Sequence, residues 1–304
     1  MTDYSRLVLQ QFQVRKKRKQ KTAFIDLIKS FYCDAVIEEG GLGNNRNIVI
    51  GNVDTAKIIF TAHYDTCARL PFPNLIFPKN FLLTILYSVL IVFPFFAVLF
   101  PVHLGILYLT ESFLLAYYTY MLLLMVLVIA VFYGGKPNEH TANDNTSGIV
   151  TILETIAKLP AEQRSKCAFV FFDNEENGLL GSAFFRKKHK AVLKNKLIVN
   201  IDCVGDGDHI FFVSNKKAKK YFSDIFNSSF KCVEGKNLYF EKNSTAFYPS
   251  DQMGFSVNMV VATLKKKPVV GFYLDKIHTK KDIYCDETNI EIISSGFAEF
   301  VSKI

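Results

Sequence analysis

The 304-residue sequence has no tryptophan, and its six cysteines are scattered with no Cys-x-x-Cys pair. A disulfide framework is therefore not expected; reduced thiols fit a cytoplasmic domain. The first 20 residues lack an apolar run, so nothing there resembles a secretory signal. Gly40, Gly41 and Gly43 precede no helix pattern, which excludes a phosphate-binding fingerprint. There is no internal repeat and no low-complexity linker. Disorder is excluded by the other side of the ledger, since half of the residues are hydrophobic. The formal charge is +8, yet the lysine runs at 216–220 and 265–267 have no interleaved aromatics. A nucleic-acid partner is not expected.

The sharpest absence is local. Residues 77–133 carry only two formal charges, Lys79 and Glu111. Elsewhere the charged share is about a quarter, ordinary for a soluble domain. Within the insert, residues 81–100 and 113–132 contain no charge at all. Twenty residues at 1.5 Å each make a helix of about 30 Å, the thickness of a bilayer's hydrocarbon core. Pro94 should kink the first span and Pro101 should end it. The alternative is a pair of buried core helices, but a helix apolar on every face needs a large protein or lipid around it. Two spans return the chain to its starting side. The flanks carry Arg69, Lys79 and Lys136, whereas the connection at 101–112 has no Lys or Arg. The positive-inside rule then places the main domain in the cytoplasm, on an integral membrane protein. The expected organisation is a catalytic domain of residues 1–76 and 134–304, interrupted by a transmembrane helical hairpin at 77–133.

The remaining pattern is α/β. Residues 7–32 read as one helix, and their basic run, Arg15 to Lys21, suits either anionic headgroups or a solvated face. Strands are expected at 48–51, 57–62, 167–172, 197–201, 259–263 and 269–273. Helices are expected at 147–159, 178–190 and 286–303. Strands alternating with helices imply a mixed, mostly parallel central sheet with helices on both faces.

Acids and histidines border these strands in five places: His63-Tyr64-Asp65, Asn143-Asp144-Asn145, Glu175-Glu176, Asp202 and His278. Strand ends are where open α/β sheets build their sites. Two imidazoles with several carboxylates suit zinc or a similar divalent ion. Singly, each has an ordinary explanation as a cap, a turn former or a surface acid. Their order and context carry the argument.

That order resembles the M28 family of zinc aminopeptidases. The matching strings are Ala62-His63-Tyr64-Asp65-Thr66, Ala142-Asn143-Asp144-Asn145-Thr146-Ser147-Gly148 and the stretch from Phe171 to Ser182. Asn200-Ile201-Asp202 and Ile277-His278-Thr279 complete the pattern. The resemblance covers residues 1–76 and 134–304; the insert is the departure from it. It implies two divalent ions, zinc ranked before cobalt or manganese, with Asp144 bridging them. His63 and Asp202 would complete one ion's ligands, and Glu176 and His278 the other's. Glu175 would be the general base, and Asp65 would orient the His63 imidazole. Tyr248 and Asp251 fall in a stretch similar to the family's Ser-Asp-His near the substrate pocket, with Gln252 in place of the usual His. Cys203 should face away from the metals, as strand alternation requires. The implied activity is removal of N-terminal residues from peptides with a free N-terminus, by an enzyme whose other partner is the lipid bilayer. Two other readings remain. Glutaminyl cyclase resembles the same fold, but such cyclases look to use tryptophans around the substrate, and this chain has none. A catalytically dead membrane binding protein should have lost ligands, and none is lost here.

Overall fold

The computed structural model describes residues 1–304, except for the side chains of 221–223. In chain order the strands are β1 (Val36–Gly40), β2 (Asn45–Gly51), β3 (Ile58–His63), β4 (Cys167–Phe172), β5 (Leu197–Ile201), β6 (His209–Ser214), β7 (Asn237–Lys242), β8 (Val257–Lys267) and β9 (Gly271–Tyr273). They form one sheet in the order β1-β2-β4-β3-β5-β8-β6-β7, with β9 paired to β8. The central four, β4, β3, β5 and β8, run parallel. Antiparallel pairings flank them on both sides. At one margin β6 and β7 pair parallel again, so the sheet is mixed as expected, with parallel and antiparallel pairings about equally shared. The antiparallel start has a local cause: β1 and β2 are joined by a four-residue turn, and a turn that tight can only reverse the chain.

The helices are α1 (Asp3–Gln11), α2 (Arg18–Phe31), α3 (Phe81–Thr110), α4 (Phe113–Phe132), α5 (Gly148–Lys158), α6 (Ala161–Arg164), α7 (Leu180–Lys188), α8 (Lys216–Asn227) and α9 (Glu287–Ser302). Strand alternation sorts the core into two layers. Phe169 and Phe171 of β4 join α5 and α9 in one cluster, whereas Ala168, Val170 and Phe172 meet Phe185 of α7 on the opposite face. Phe60 stacks on Phe169 at 5.7 Å and leans on Phe297 at 4.8 Å, which pins α9 to the sheet. Burying each such side chain stabilises the fold by about 1.5–3 kcal/mol.

Two expectations change. The N-terminal segment is two helices, not one, with a break at residues 12–17. The break lets Arg15 turn inward, where it is fully buried. Its backbone N–H donates to Thr66 Oγ1 at 3.0 Å, its Nε to the Tyr64 carbonyl at 2.5 Å and its Nη atoms to Thr146 Oγ1 at 3.1 Å. Lys21 is buried too, its Nζ 2.5 Å from Asp173 Oδ1. These two cations of the basic run therefore hold the fold rather than facing outward.

The second change is in the insert. Helix α3 does not end at Pro101 but runs on to Thr110, 30 residues in all from Phe81. A proline removes one donor, but the apolar residues after it still propagate the helix. The stretch expected to connect the spans is therefore helical to Thr110, and only Glu111 and Ser112 separate α3 from α4. Both helices are long and apolar enough to cross a membrane, by length and composition. No residue of α3 is buried, and in α4 only Ala116 and Leu124 are. That burial does not fit the core-helix alternative. The hairpin packs on itself, for example through the Tyr120 hydroxyl donating to the Phe96 carbonyl at 3.2 Å.

The base of the hairpin is tied to the domain. Ala68 and Pro137 form an antiparallel bridge, Arg69 N–H donates to the Lys136 carbonyl, and Leu70 N–H donates to the His278 carbonyl, both at 2.9 Å. Lys16 Nζ donates to the Tyr133 carbonyl at 2.8 Å.

Candidate metal centre

The C-terminal ends of three adjacent parallel strands converge on one edge of the sheet. His63 is the last residue of β3 and pairs in register with Phe172, the last of β4. Asp202 follows β5 directly, its N–H donating to the Val261 carbonyl at 2.9 Å. The segment after β4 carries Glu175 and Glu176. This is the sheet edge where open α/β folds place ligands.

Asp144 comes from a different element, the wide turn Ala142–Ser147 that leads into α5. Its neighbours fix it from both sides. Asn143 Oδ1 accepts from Gly205 N–H at 2.6 Å, and Asn145 Nδ2 donates to the Ile201 carbonyl at 2.8 Å. Gly148 is required here. A Cβ would stand 2.4 Å from Asn145 Oδ1 and 2.5 Å from the Ile201 carbonyl, so only glycine lets α5 start this close to β5. With the two asparagines turned toward the 201–205 loop, the Asp144 carboxylate meets the histidines. Its Oδ1 lies 3.3 Å from His63 Nε2 and its Oδ2 lies 2.9 Å from His278 Nε2. His63 Nε2 is 3.8 Å from Asp202 Oδ1, and His278 Nε2 is 3.3 Å from Glu176 Oε2.

All five sequence-expected ligands thus gather in one cluster. Within it His63, Asp144 and Asp202 are all buried and bring donor atoms within 4.8 Å of one another. The same spacing holds for His63, Glu175 and Glu176, and for Cys67, Glu176 and His278. Two buried carboxylate oxygens, Asp202 Oδ1 and Glu176 Oε1, have no hydrogen-bond partner. Orphaned buried oxygens beside imidazole nitrogens are the donor set a divalent cation takes, so the residues fit a metal.

The electrostatics express the crowding of acids. Burial opposes ionisation of Asp144, but hydrogen bonds from His278 and His63 hold its carboxyl below the usual range. Burial pushes Glu176 up to about 7 and drives Glu175 well above its ordinary value. Burial lowers His278, yet Glu176 and the hydrogen bond to Asp144 outweigh it and lift the imidazole to about 9. The cluster without a cation therefore holds protons that a cation would displace.

Asp65 stands in a different posture from the expected one. The carbonyl of Asp65, not its carboxylate, is nearest His63 Nδ1, at 3.1 Å against 3.8 Å for Oδ1. Its carboxylate instead accepts from Glu175 N–H at 2.9 Å and Glu176 N–H at 3.2 Å. One residue thereby fixes both the imidazole and the loop bearing the two glutamates. Cys203 also departs from expectation. It lies beyond the end of β5 with a positive φ of 58°, and its thiol neighbours Asp202 and Tyr248 instead of facing away. Tyr248 is buried near Asp202, and Asp251 is wholly buried, with burial raising its carboxyl to about 7. Gln252, where the resembling family usually has His, is turned inward. It accepts from Asn200 Nδ2 at 3.3 Å and donates to the Tyr248 carbonyl at 2.6 Å.

Sequence reasoning passed over Asp282. Its two carboxylate oxygens accept from Asn143 N–H at 2.8 Å and Asp144 N–H at 3.0 Å, so it fixes Asp144 as Asp65 fixes Glu175. The available signal was its position four residues after His278. Arg15, hidden in a basic run, supports the same site from below through Tyr64 and Thr146.

The sequence model described as peptidase family M28 matches residues 126–301. A vacuolar membrane protease of Candida glabrata is 27 % identical over 164 residues, which is 52 % of this chain. The match spans only 17 % of that relative's length. Among solved structures, a Zn-dependent exopeptidase from Parabacteroides distasonis superposes with a TM-score of 0.58 at 14 % identity, covering 98 % of this chain and 96 % of its own. A glutaminyl cyclase from Porphyromonas gingivalis gives 0.56 at 14 %, covering 99 % and 97 %. The LapA aminopeptidase of Legionella pneumophila gives 0.53 at 13 %, covering 98 % and 69 %. At these identities the likeness is one of fold alone.

Proposed function

The chain belongs to peptidase family M28, and from that premise we propose that it is a membrane-anchored aminopeptidase using two divalent ions, zinc by preference. The observation that carries this reading is the two-sided environment of Asp144, one carboxylate oxygen toward His63 and the other toward His278. A carboxylate so flanked is suited to bridge two cations. His63 and Asp202 would hold one, Glu176 and His278 the other. Such ions, when bound, polarise a carbonyl and bring the pKa of a bound water toward 7.

The chain's own groups supply the rest. Glu175 takes the proton of the attacking water and returns it to the leaving amine. Asp65 holds the Glu175 and Glu176 amides, so the base keeps its place while its side chain exchanges the proton. Tyr248, buried beside Asp202, is the candidate donor to the developing oxyanion. Asp251, wholly buried and with its carboxyl raised to about 7, is near enough for its charge to oppose ionisation of Glu175, and a substrate's α-ammonium would be held by the cluster's acids. That ammonium restricts the enzyme to free N-termini. Release of N-terminal residues from a peptide panel tests the reading. Release should be abolished by chelator and restored by zinc. Pyroglutamate formation from N-terminal Gln, without release, would instead assign acyl transfer of the cyclase kind. No turnover and no bound metal would assign a binding role.

The hairpin belongs to the same proposal. Its outward apolar surface suits lipid, and Arg69, Lys79 and Lys136 at its base favour a cytoplasmic catalytic domain. The exposed Lys17, Arg18 and Lys19 join them near that base, by way of the Lys16–Tyr133 hydrogen bond. A small pocket lined by Lys16, Asp65, Cys67, Phe132, Tyr133 and Glu176 lies between the foot of α4 and Glu176. Peptides lying at the membrane surface are therefore the proposed substrates. Replacing residues 77–133 with a short loop should preserve turnover of soluble peptides and remove the preference for vesicle-bound apolar ones. An unchanged preference would sink the membrane-substrate reading.

A further inference from the structure

Cys67 lies four residues after His63, at the start of the stem that leads into the hairpin. It is 4 % exposed, and its sulfur lies within 4.8 Å of donor atoms of both Glu176 and His278. The stem holds it there by backbone: the Cys67 carbonyl accepts from Asn138 N–H at 3.2 Å, and Leu70 N–H reaches the His278 carbonyl at 2.9 Å. The Glu176 side chain is nine-tenths buried. Its Oε2 faces His278 at 3.3 Å, whereas its Oε1 has no hydrogen-bond partner. An orphaned carboxylate oxygen, an imidazole nitrogen and a buried thiol in one group, with His278 still reached by solvent, form a mixed S/N/O donor set for a borderline-soft cation.

We propose that Cys67 Sγ is a protein ligand of the ion on the His278 side, beside Glu176 and His278. This rests on the two-ion reading above and makes the two positions chemically unlike. The His63 side offers only nitrogen and oxygen, whereas the His278 side adds sulfur. With Asp144 shared, the His278 side has four protein donors, the number that closes a zinc site. The His63 side has three and keeps a coordination position open, as catalytic zinc sites do. On metal uptake the sulfur–metal bond forms and the thiol proton leaves to solvent. The sulfur-ligated ion is the slower of the two to leave in chelator, and that position favours zinc or cobalt over manganese.

The test is cobalt(II) loading of the full-length, detergent-purified chain, read by metal content and near-ultraviolet absorption. Two cobalt ions per chain with a sulfur-to-cobalt charge-transfer band are expected. The band should vanish in C67S and persist in the double variant C203S/C285S, which removes the thiols near Asp202 and Asp282. Two ions with no band, or a band that survives C67S or is lost in C203S/C285S, would overturn the assignment and leave the two-ion reading standing. A single ion without the band would overturn both. A single ion with the band, lost in C67S, would keep the sulfur ligand and remove the second ion. If C67S does not fold, wild type and C203S/C285S decide the question between them.

Discussion

Glu175→Gln is expected to lower peptide turnover by roughly 10²–10⁴-fold, the range that loss of a positioned general base produces. Metal content and thermal unfolding should stay near wild type. The separation follows from how the loop is held. Asp65 grips Glu175 through its backbone N–H, which the substitution leaves in place. Gln keeps the shape and polarity of the side chain and loses only its basicity. Among the proposed ligands Glu176, not Glu175, approaches His278, so metal binding on that side should not depend on the exchanged group. Turnover of the purified variant beside its metal analysis is the measurement. Full activity with intact metal would move the base to another group. Lost activity with lost metal would make Glu175 a ligand.

Removing the metal is expected to reverse the pH preference of the fold. In the metal-free state Glu176 is raised from 4.5 to about 7, with burial as the main cause, and Asp251 from 3.8 to about 7 for the same reason. His278 is raised from 6.5 to about 9 by Glu176 and Asp144, against the effect of burial. Each group binds its proton more tightly folded than unfolded. Its stabilising contribution is complete below the unfolded pKa and is lost as pH rises through the folded one. Asp144 acts oppositely, but only below its ordinary 3.8, outside this window. Metal-free protein should therefore lose stability between pH 5 and pH 9, by an amount on the order of a few kcal/mol. Zinc requires the same groups deprotonated, so its stabilisation grows with pH. At 100 times its dissociation constant a ligand adds about 2.7 kcal/mol. Thermal unfolding of chelated protein at pH 5 and pH 8, each with and without zinc, checks the sign. Chelated protein melting higher at pH 8 would contradict it.

What the sequence discloses, and what it hides, follows from how each residue is used. Strands β4 and β5 are legible to the residue because a strand covered on both faces tolerates no charge, and an uncharged run between polar segments is conspicuous. The ligand histidines and acids are legible because they stand at the ends of such runs. Strands β1, β6 and β7 are absent from the expected set. β1 and β7 lie at the sheet's margins, half exposed, and their charged residues (Glu38, Glu39, Glu241) look like loop. β6 is a buried, uncharged run like β4, and sequence reasoning passed over it although it carries the same signal. Asp282 is hidden for a different reason. In Thr-Lys-Lys-Asp-Ile it resembles any surface turn, and only the tertiary fold brings it under the Asp144 amide. Arg15 misleads most. In a run of cations nothing distinguishes the one whose charge is taken inside, and the price of burial appears only in its pKa, lowered to about 9.

The antiparallel bridge between Ala68 and Pro137 gives the fold a socket. The two ends of the insert leave and re-enter the domain as neighbours, so the sheet does not register how much chain lies between them. Closing a longer loop between fixed ends costs only about 0.6 kcal/mol per doubling of its length. A lineage can therefore exchange a tight turn for a pair of long apolar helices, or the reverse, in one insertion or deletion without redrawing the sheet edge that gathers the acids and histidines. What the helices meet and what the cluster holds become separately heritable traits of a single chain.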